Sequence, residues 1–308
     1  MDPLQVIGLG VATVDVLQRM RDLPHWSQTE NTVLHAFELD GGGMAATAMV
    51  AAARLGCRAG FIGTAGSDAM GRFKREGLER EGVDTRGLVV RPGPDGQVVL
   101  VFVHAETGER VFAPLREFAD HPVTPAELDR DHVSRTRYLL IDGYHTDAAL
   151  QAAACVHAAG GEVVLDASPY QTTIMHRMGA IIAVTDILIG SEHFARRFTG
   201  NTDRTGACRA LLDLGPRVVV QTEGRRGSLT VTRTELFETA AFPVQVVDTT
   251  GAGDVFHGAY VSGLLQGLDL RETARFAGAV SALKCTALGG RRGIPGLEQT
   301  RAFLAQHV

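Results

Sequence analysis

Short apolar runs alternate with longer Ala- and Leu-rich stretches along this chain. QVIGL (5–9), AGFIG (59–63), RYLLID (137–142), EVVLD (162–166), DILIG (186–190) and RVVVQT (217–222) are β-branched or aliphatic runs. Their length and composition suit strands buried on both faces. Between them, MAATAMVAAARLG (44–56), MGRFKREGLEREG (70–82), DAALQAAACVHAAG (147–160) and TGACRALLDLG (205–215) read as helices, each ending on a glycine. Strand and helix in alternation predict βαβ units and a mainly parallel sheet covered by helices on both faces. Two segments break the rhythm. In 97–113 two apolar runs flank Glu106-Thr107-Gly108, which predicts a β-hairpin, and 30–40 (ENTVLHAFELD) alternates like a strand. The expected architecture is therefore α/β: a three-layer α/β/α sandwich in one domain over 1–308, with a small β-sheet lid inserted at about 12–40 and 95–118.

One stretch carries candidate chemistry. In VVDTTGAGDVFHGAYVSGLLQG (246–267) a strand is expected to end near Val247, followed by a loop and a helix. Phe256, Ala259, Tyr260, Gly263 and Leu264 recur at helical spacing. Gly251, Ala252 and Gly253 are small enough for a large anion to approach the backbone, and the first N–H groups of a helix lack internal partners. A phosphate is a natural ligand there. Asp254 in the first turn complements the helix dipole, and beside a phosphate it is placed to take a proton from an attacking hydroxyl.

DTTGAGDVFHGA strongly resembles the second signature of the ribokinase-like (PfkB) carbohydrate kinases. The resemblance implies an ATP- and Mg²⁺-dependent phosphotransferase, with the Gly251, Ala252 and Gly253 backbone as anion hole and Asp254 as general base. DGGGMAATAMVAAARLGCRAGFIGTAG (40–66) resembles the first signature. It implies that Gly42 and Gly43 approach the sugar, with Thr47 where many members have an Asn. Thr13 and Asp15 in GLGVATVD (8–15) fall on the same sugar-binding side. In VVVQTEGRRGSL (218–229), Thr222, Gly224 and Gly227 match the nucleotide segment. Ser191 stands at the Asn place and Phe194 at the Glu place of a usual N-x-x-E. Glu192 is then the acid expected to reach Mg²⁺ through water. Asp248 and Thr250 match positions near a monovalent-cation site built mostly from backbone carbonyls, which implies K⁺. ALKCTALGGRRGIPGLEQTRAFL (282–304) is similar to sulfofructose kinases and more distantly to ketohexokinases. Tyr144 stands where that branch carries an Arg; a Tyr suits a neutral hydroxyl, an Arg fork an anion. A ketohexose is therefore the expected acceptor, with Arg116 available to an acidic sugar. Sulfofructose, ribose, a keto-deoxy sugar acid and a nucleoside are the alternatives, and a non-catalytic sugar or nucleotide sensor is a reading from another class. His257, Arg291 and Arg292 are assigned to solvent or helix packing.

Composition narrows the alternatives. Hydrophobic residues make up 45% and charged residues 21%, ordinary for a packed globular chain, and the net charge of −5 argues against a nucleic-acid partner. Lys74 (in RFKRE) and Lys284 (in ALKCT) are the sole lysines, and neither fits a P-loop. A dinucleotide fingerprint needs glycine where Thr13 stands. Cys57, Cys155, Cys208 and Cys285 are far apart and are expected as free thiols in a reducing cytosol. The N-terminus reads as a first strand and not a signal peptide, and no apolar run is long enough to span a membrane. A cytoplasmic enzyme that dimerises through its lid is the resulting expectation.

Overall fold

The structure is a computed structural model describing residues 3–27, 29–167 and 176–307. All six expected buried strands form: β1 (Val6–Leu9), β4 (Ala59–Gly66), β8 (Tyr138–Ile141), β9 (Glu162–Ala167), β10 (Ile187–Ser191) and β11 (Val218–Thr222). With β5 (Asp84–Arg91), β12 (Ser228–Val231) and β13 (Leu236–Thr239) they make a sheet in the order β13-β12-β11-β10-β9-β8-β1-β4-β5. It is parallel from β11 to β5, and β12 and β13 are added antiparallel at one edge.

Successive strand side chains point to opposite faces, so each buried strand feeds two cores. Val6, Tyr138 and Leu140 pack on one side with helices α1 (Met44–Arg54), α8 (Ala252–Leu265) and α9 (Leu270–Lys284). Ile7, Leu9, Leu139 and Ile141 pack on the other with α4 (Thr146–Ala158), α5 (Met178–Ala183) and α7 (Arg204–Leu212). The remaining helices are α2 (Ala69–Arg80), α3 (Arg130–Ser134), α6 (Phe194–Thr199) and α10 (Leu297–Ala305). The three layers expected from the sequence are present.

A second sheet stands apart, in the order β3-β2-β6-β7, from β2 (Thr13–Met20), β3 (Ala36–Gly42), β6 (Val98–His104) and β7 (Arg110–Pro114). The 104–110 hairpin closes as expected: His104 N–H donates to Glu109 O and Gly108 N–H to His104 O. Two expectations are corrected. Residues 30–35 are not strand, and β3 starts at Ala36, the first residue with a β2 partner. No strand precedes Asp248 either. Residues 240–247 run without ladder partners, because Pro243 lacks an N–H and Val246 and Val247 are exposed.

Among the described residues no helix is long and apolar enough to cross a membrane, and all four cysteines are free.

Candidate active site

The parallel strands deliver their C-terminal ends to one rim, where ligands of open α/β sheets bind. Asp142 follows β8, Asp166 lies near the end of β9, Ser191 ends β10 and Thr222 ends β11. The loop 248–251 and the N-terminus of α8 face the same rim. Gly251 caps α8 with φ 72°, in the left-handed region, and a Cβ there would meet Gly290 O at 2.8 Å. Glycine thus lets the chain turn sharply into the helix. A Cβ on Gly253 would meet nothing within 4 Å, so open space lies over the first turn.

Asp254 sits in that turn. Part of it reaches solvent, but the surrounding protein removes most of its water. Burial, and next the negative Asp166, raise its pKa from 3.8 to about 7. His257, one turn on, is buried with its ring nitrogens against Gly253 O (2.7 Å) and Ile189 O (3.1 Å), so it packs inside the protein, with Asp166 Oδ1 at 3.4 Å.

On the side where sugar contacts were expected, Asp15 and Gly42 converge. The Thr13 hydroxyl donates to Asp15 Oδ1 at 2.6 Å, and a Cβ on Gly42 would lie 2.3 Å from Asp15 Oδ2. Burial raises the Asp15 pKa to about 6 against the Thr13 bond, which lowers it. Gly43 has φ 90°, and a Cβ there would strike Val11 O at 2.4 Å. Thr47 departs from the expected open contact: it is buried, and its hydroxyl accepts from Arg291 Nε at 3.3 Å. Arg291 itself corrects the assignment to solvent or helix packing. Its Nη2 donates to Gly42 O at 2.6 Å and its backbone N–H reaches Asp40 Oδ2 at 3.4 Å, so a buried guanidinium underlies the glycine cradle. Arg292 is exposed and ion-paired with Glu38. Tyr144 is half-buried and packs edge-on to Phe118, ring centroids 5.6 Å apart. Arg116 is exposed on the segment after β7.

The nucleotide candidates meet at a neighbouring cavity of about 270 Å³ lined by Thr222, Gly224, Gly227, Ala252, Gly253 and Phe256. Segments far apart in sequence thus share one hollow at the mouth of α8. Ser191 lies beside Thr222 in register, outside that lining. Glu192 is ion-paired with Arg226, whose hydrogen bond holds its carboxyl below the usual range. Asp248 Oδ1 accepts from Thr250 N (2.8 Å) and Thr250 Oγ1 (2.7 Å), and Oδ2 accepts from Gly289 N (2.9 Å). Arg110, on lid strand β7, reaches across to the Thr250 hydroxyl, to Thr249 Oγ1 at 2.9 Å and to Asp248 Oδ1 at 3.3 Å. The lid therefore touches the loop next to Asp254.

The sequence matches the profile of the pfkB family carbohydrate kinase over residues 7–296. The chain belongs to this family. Its members transfer phosphoryl groups to hydroxyls. The kinase is 32% identical over 286 residues to the aminoimidazole riboside kinase of Salmonella typhimurium, covering 86% of this chain and 88% of that one. It is 28% identical over 286 residues to a 5-dehydro-2-deoxygluconokinase of Geobacillus kaustophilus, covering 86% and 85%. Its fold matches the Arabidopsis thaliana ribokinase solved with ribose and ATP, at 24% identity, a TM-score of 0.82 and 99% coverage of each chain. Three cations at the candidate site were given no site role from the sequence: Arg110, Arg291 and Lys284, the last with Nζ 2.9 Å from Asp248 O. For Lys284 a signal existed, since one of just two lysines lies in the segment that carries the family likeness.

Proposed function

We propose that the kinase moves the γ-phosphoryl group of ATP to a hydroxyl of a small neutral sugar, a ketohexose being the favoured acceptor. The observation that carries this is Asp254, a carboxylate of raised pKa in the first turn of a helix whose open N-terminus borders the Thr222–Gly227 cavity. Nucleotide phosphates lie along Thr222, Gly224 and Gly227, and the Gly251–Gly253 backbone faces the transferring group. Asp254 takes the hydroxyl proton, the oxygen bonds to the γ-phosphorus, and the bond to the bridging oxygen breaks to release ADP. Fixed N–H donors at the helix start stabilise the charge that develops on the phosphoryl oxygens. Magnesium bound to the nucleotide would neutralise part of the phosphate charge. It needs few protein ligands beyond phosphate and water, which agrees with Glu192 being held by Arg226.

Asp15, the Gly42–Gly43 cradle and Arg291 beneath it form the sugar side. Carboxylates accept hydrogen bonds from hydroxyls well, and the Tyr144–Phe118 pair adds an uncharged wall, which favours a neutral polyol. A keto-deoxy sugar acid is the second reading, favoured by the relative that bears that name and by exposed Arg116. One kinase unit over 1–308, with lid segments at about 12–40 and 95–118, and a homodimer through the lid complete the proposal. The lid supports dimerisation because its outward-facing rows carry Phe37, Leu39 and Val111, all exposed.

The test is ADP release from ATP and Mg²⁺ with fructose, sulfofructose, ribose, 2-keto-3-deoxygluconate, tagatose 6-phosphate and adenosine. Fructose-driven release is the expected result. Release with the sugar acid alone supports the second reading, and nucleotide binding without turnover on any acceptor favours a sensor.

A further inference from the structure

We infer that the ammonium of Lys284 is the built-in cation of the phosphoryl-transfer loop, standing where a bound monovalent cation was expected, so that this kinase works without added potassium. The inference rests on the kinase reading of the 248–254 loop.

The first observation is compositional. The chain has 30 lysines and arginines, of which only Lys74 and Lys284 are lysines, and both are buried. Every other strong cation is arginine, so neither lysine serves as a generic surface charge. An ammonium is a compact point charge that fits where a planar guanidinium does not. Lys74 shows what such a position asks for: its Nζ donates to Thr64 O, Asp95 Oδ1 and Gln97 Oε1 at 2.9–3.1 Å, tying α2 and β4 to the start of the lid.

Lys284 ends α9 directly beneath the loop, fully enclosed, with Nζ 2.9 Å from Asp248 O. Burial pushes its pKa down while Asp248 pulls it back up. The other polar atoms around Asp248 are also engaged. Oδ1 takes Thr250 and Arg110, Oδ2 takes Gly289 N–H, and the Thr249 and Thr250 hydroxyls take Arg110. Two protein cations thus already hold the backbone and side chains that were expected to lie near potassium. A third positive charge on the same carbonyl would meet Lys284 at close range in a poorly screened interior, which is strongly unfavourable. The residues present do not fit a bound monovalent ion.

Lys284 does not reach the open rim, so its role is to position. It fixes the Asp248 carbonyl and hence the turn through Gly251 that aims the first N–H groups of α8. Its charge also lies behind the loop, on the side that favours negative charge developing in front of it.

The test compares initial rates in choline chloride and potassium chloride at equal ionic strength, for wild type and Lys284→Ala. Wild-type rates are expected to agree within about twofold. Lys284→Ala should lose about 10²-fold in kcat with little change in acceptor KM, and potassium, able to enter the vacated space, should restore part of the loss. Wild type strongly stimulated by potassium, or an alanine variant that folds and keeps its kcat, overturns the inference. Crystals of wild type soaked in a thallous salt give a readout free of activity and of the variant's folding. No anomalous peak beside the Asp248 carbonyl is expected, and a peak there refutes the assignment. Failure of every acceptor in both salts would count against the kinase reading itself, while the thallium measurement would still decide the case of Lys284.

Discussion

Asp254, the proposed base, carries a cost in stability when it is ionised. A carboxyl whose pKa rises from 3.8 to about 7 on folding binds its proton more tightly in the native state. The native state therefore loses stability, relative to the unfolded chain, as pH climbs from about 4 to about 7, and the loss stays constant above that. Asn imitates the neutral acid, so Asp254→Asn should melt higher than wild type at pH 8 and show a much smaller gain at pH 5. Differential scanning at the two pH values checks this: Asp142, raised to about 7, titrates in both proteins, whereas Asp15 repels Asp254 and is relieved by the same substitution, which adds to the gain at pH 8. Asp254 was legible in the sequence because its meaning is local: a Gly-Ala-Gly turn, then an acid, then an apolar helix. Arg291 was not. Its partners Gly42 and Thr47 lie 249 and 244 residues away, and no local pattern announces a contact of that span.

At the scale of elements, the six buried strands and helices α1, α2, α4, α7 and α8 were readable from hydrophobic period and flanking glycines, whereas the 15-residue α9 was not among the expected helices. The elements missed or misplaced depend on partners. β12 and β13 are four residues each and exist through pairing at the sheet edge. The apolar 244–247 run reads as strand but finds no neighbour. The meeting of α1 and α8 was equally invisible. A Cβ on Gly258 would come within 2.1 Å of Ala48 O, so the two helices touch backbone to backbone there. Because α8 carries Asp254 at its start, that contact sets how deep the acid sits. Gly258→Leu should destabilise the fold by about 1–3 kcal/mol in urea unfolding, through forced overpacking.

Across the whole molecule, the proposed site is assembled where two sheets meet. The large sheet supplies the rim and the cavity, and the lid brings Asp15 and the glycine cradle on one side and Arg110 onto the 248–250 loop on the other. The lid hairpin was legible from its turn. Its docking on the loop was not, since Arg110 and Asp248 are 138 residues apart. The lid's inner rows carry Leu17, Val101 and Val103 into the apolar cluster with Tyr144 and Met44. The outer rows await a cover, and a second copy of the chain is the proposed one. Sedimentation should show a dimer for wild type and a monomer for Phe37→Asp; a monomeric wild type would remove the lid interface from the account. The central claim is that Asp254 takes the acceptor's proton. It is tested most directly by comparing kcat of wild type and Asp254→Asn at saturating ATP, Mg²⁺ and acceptor, with nucleotide affinity measured alongside by calorimetry. With Asp254 as the base, kcat should fall by about 10²–10⁴-fold with nucleotide affinity nearly unchanged, whereas a folded Asn variant that turns over at the wild-type rate would contradict that role.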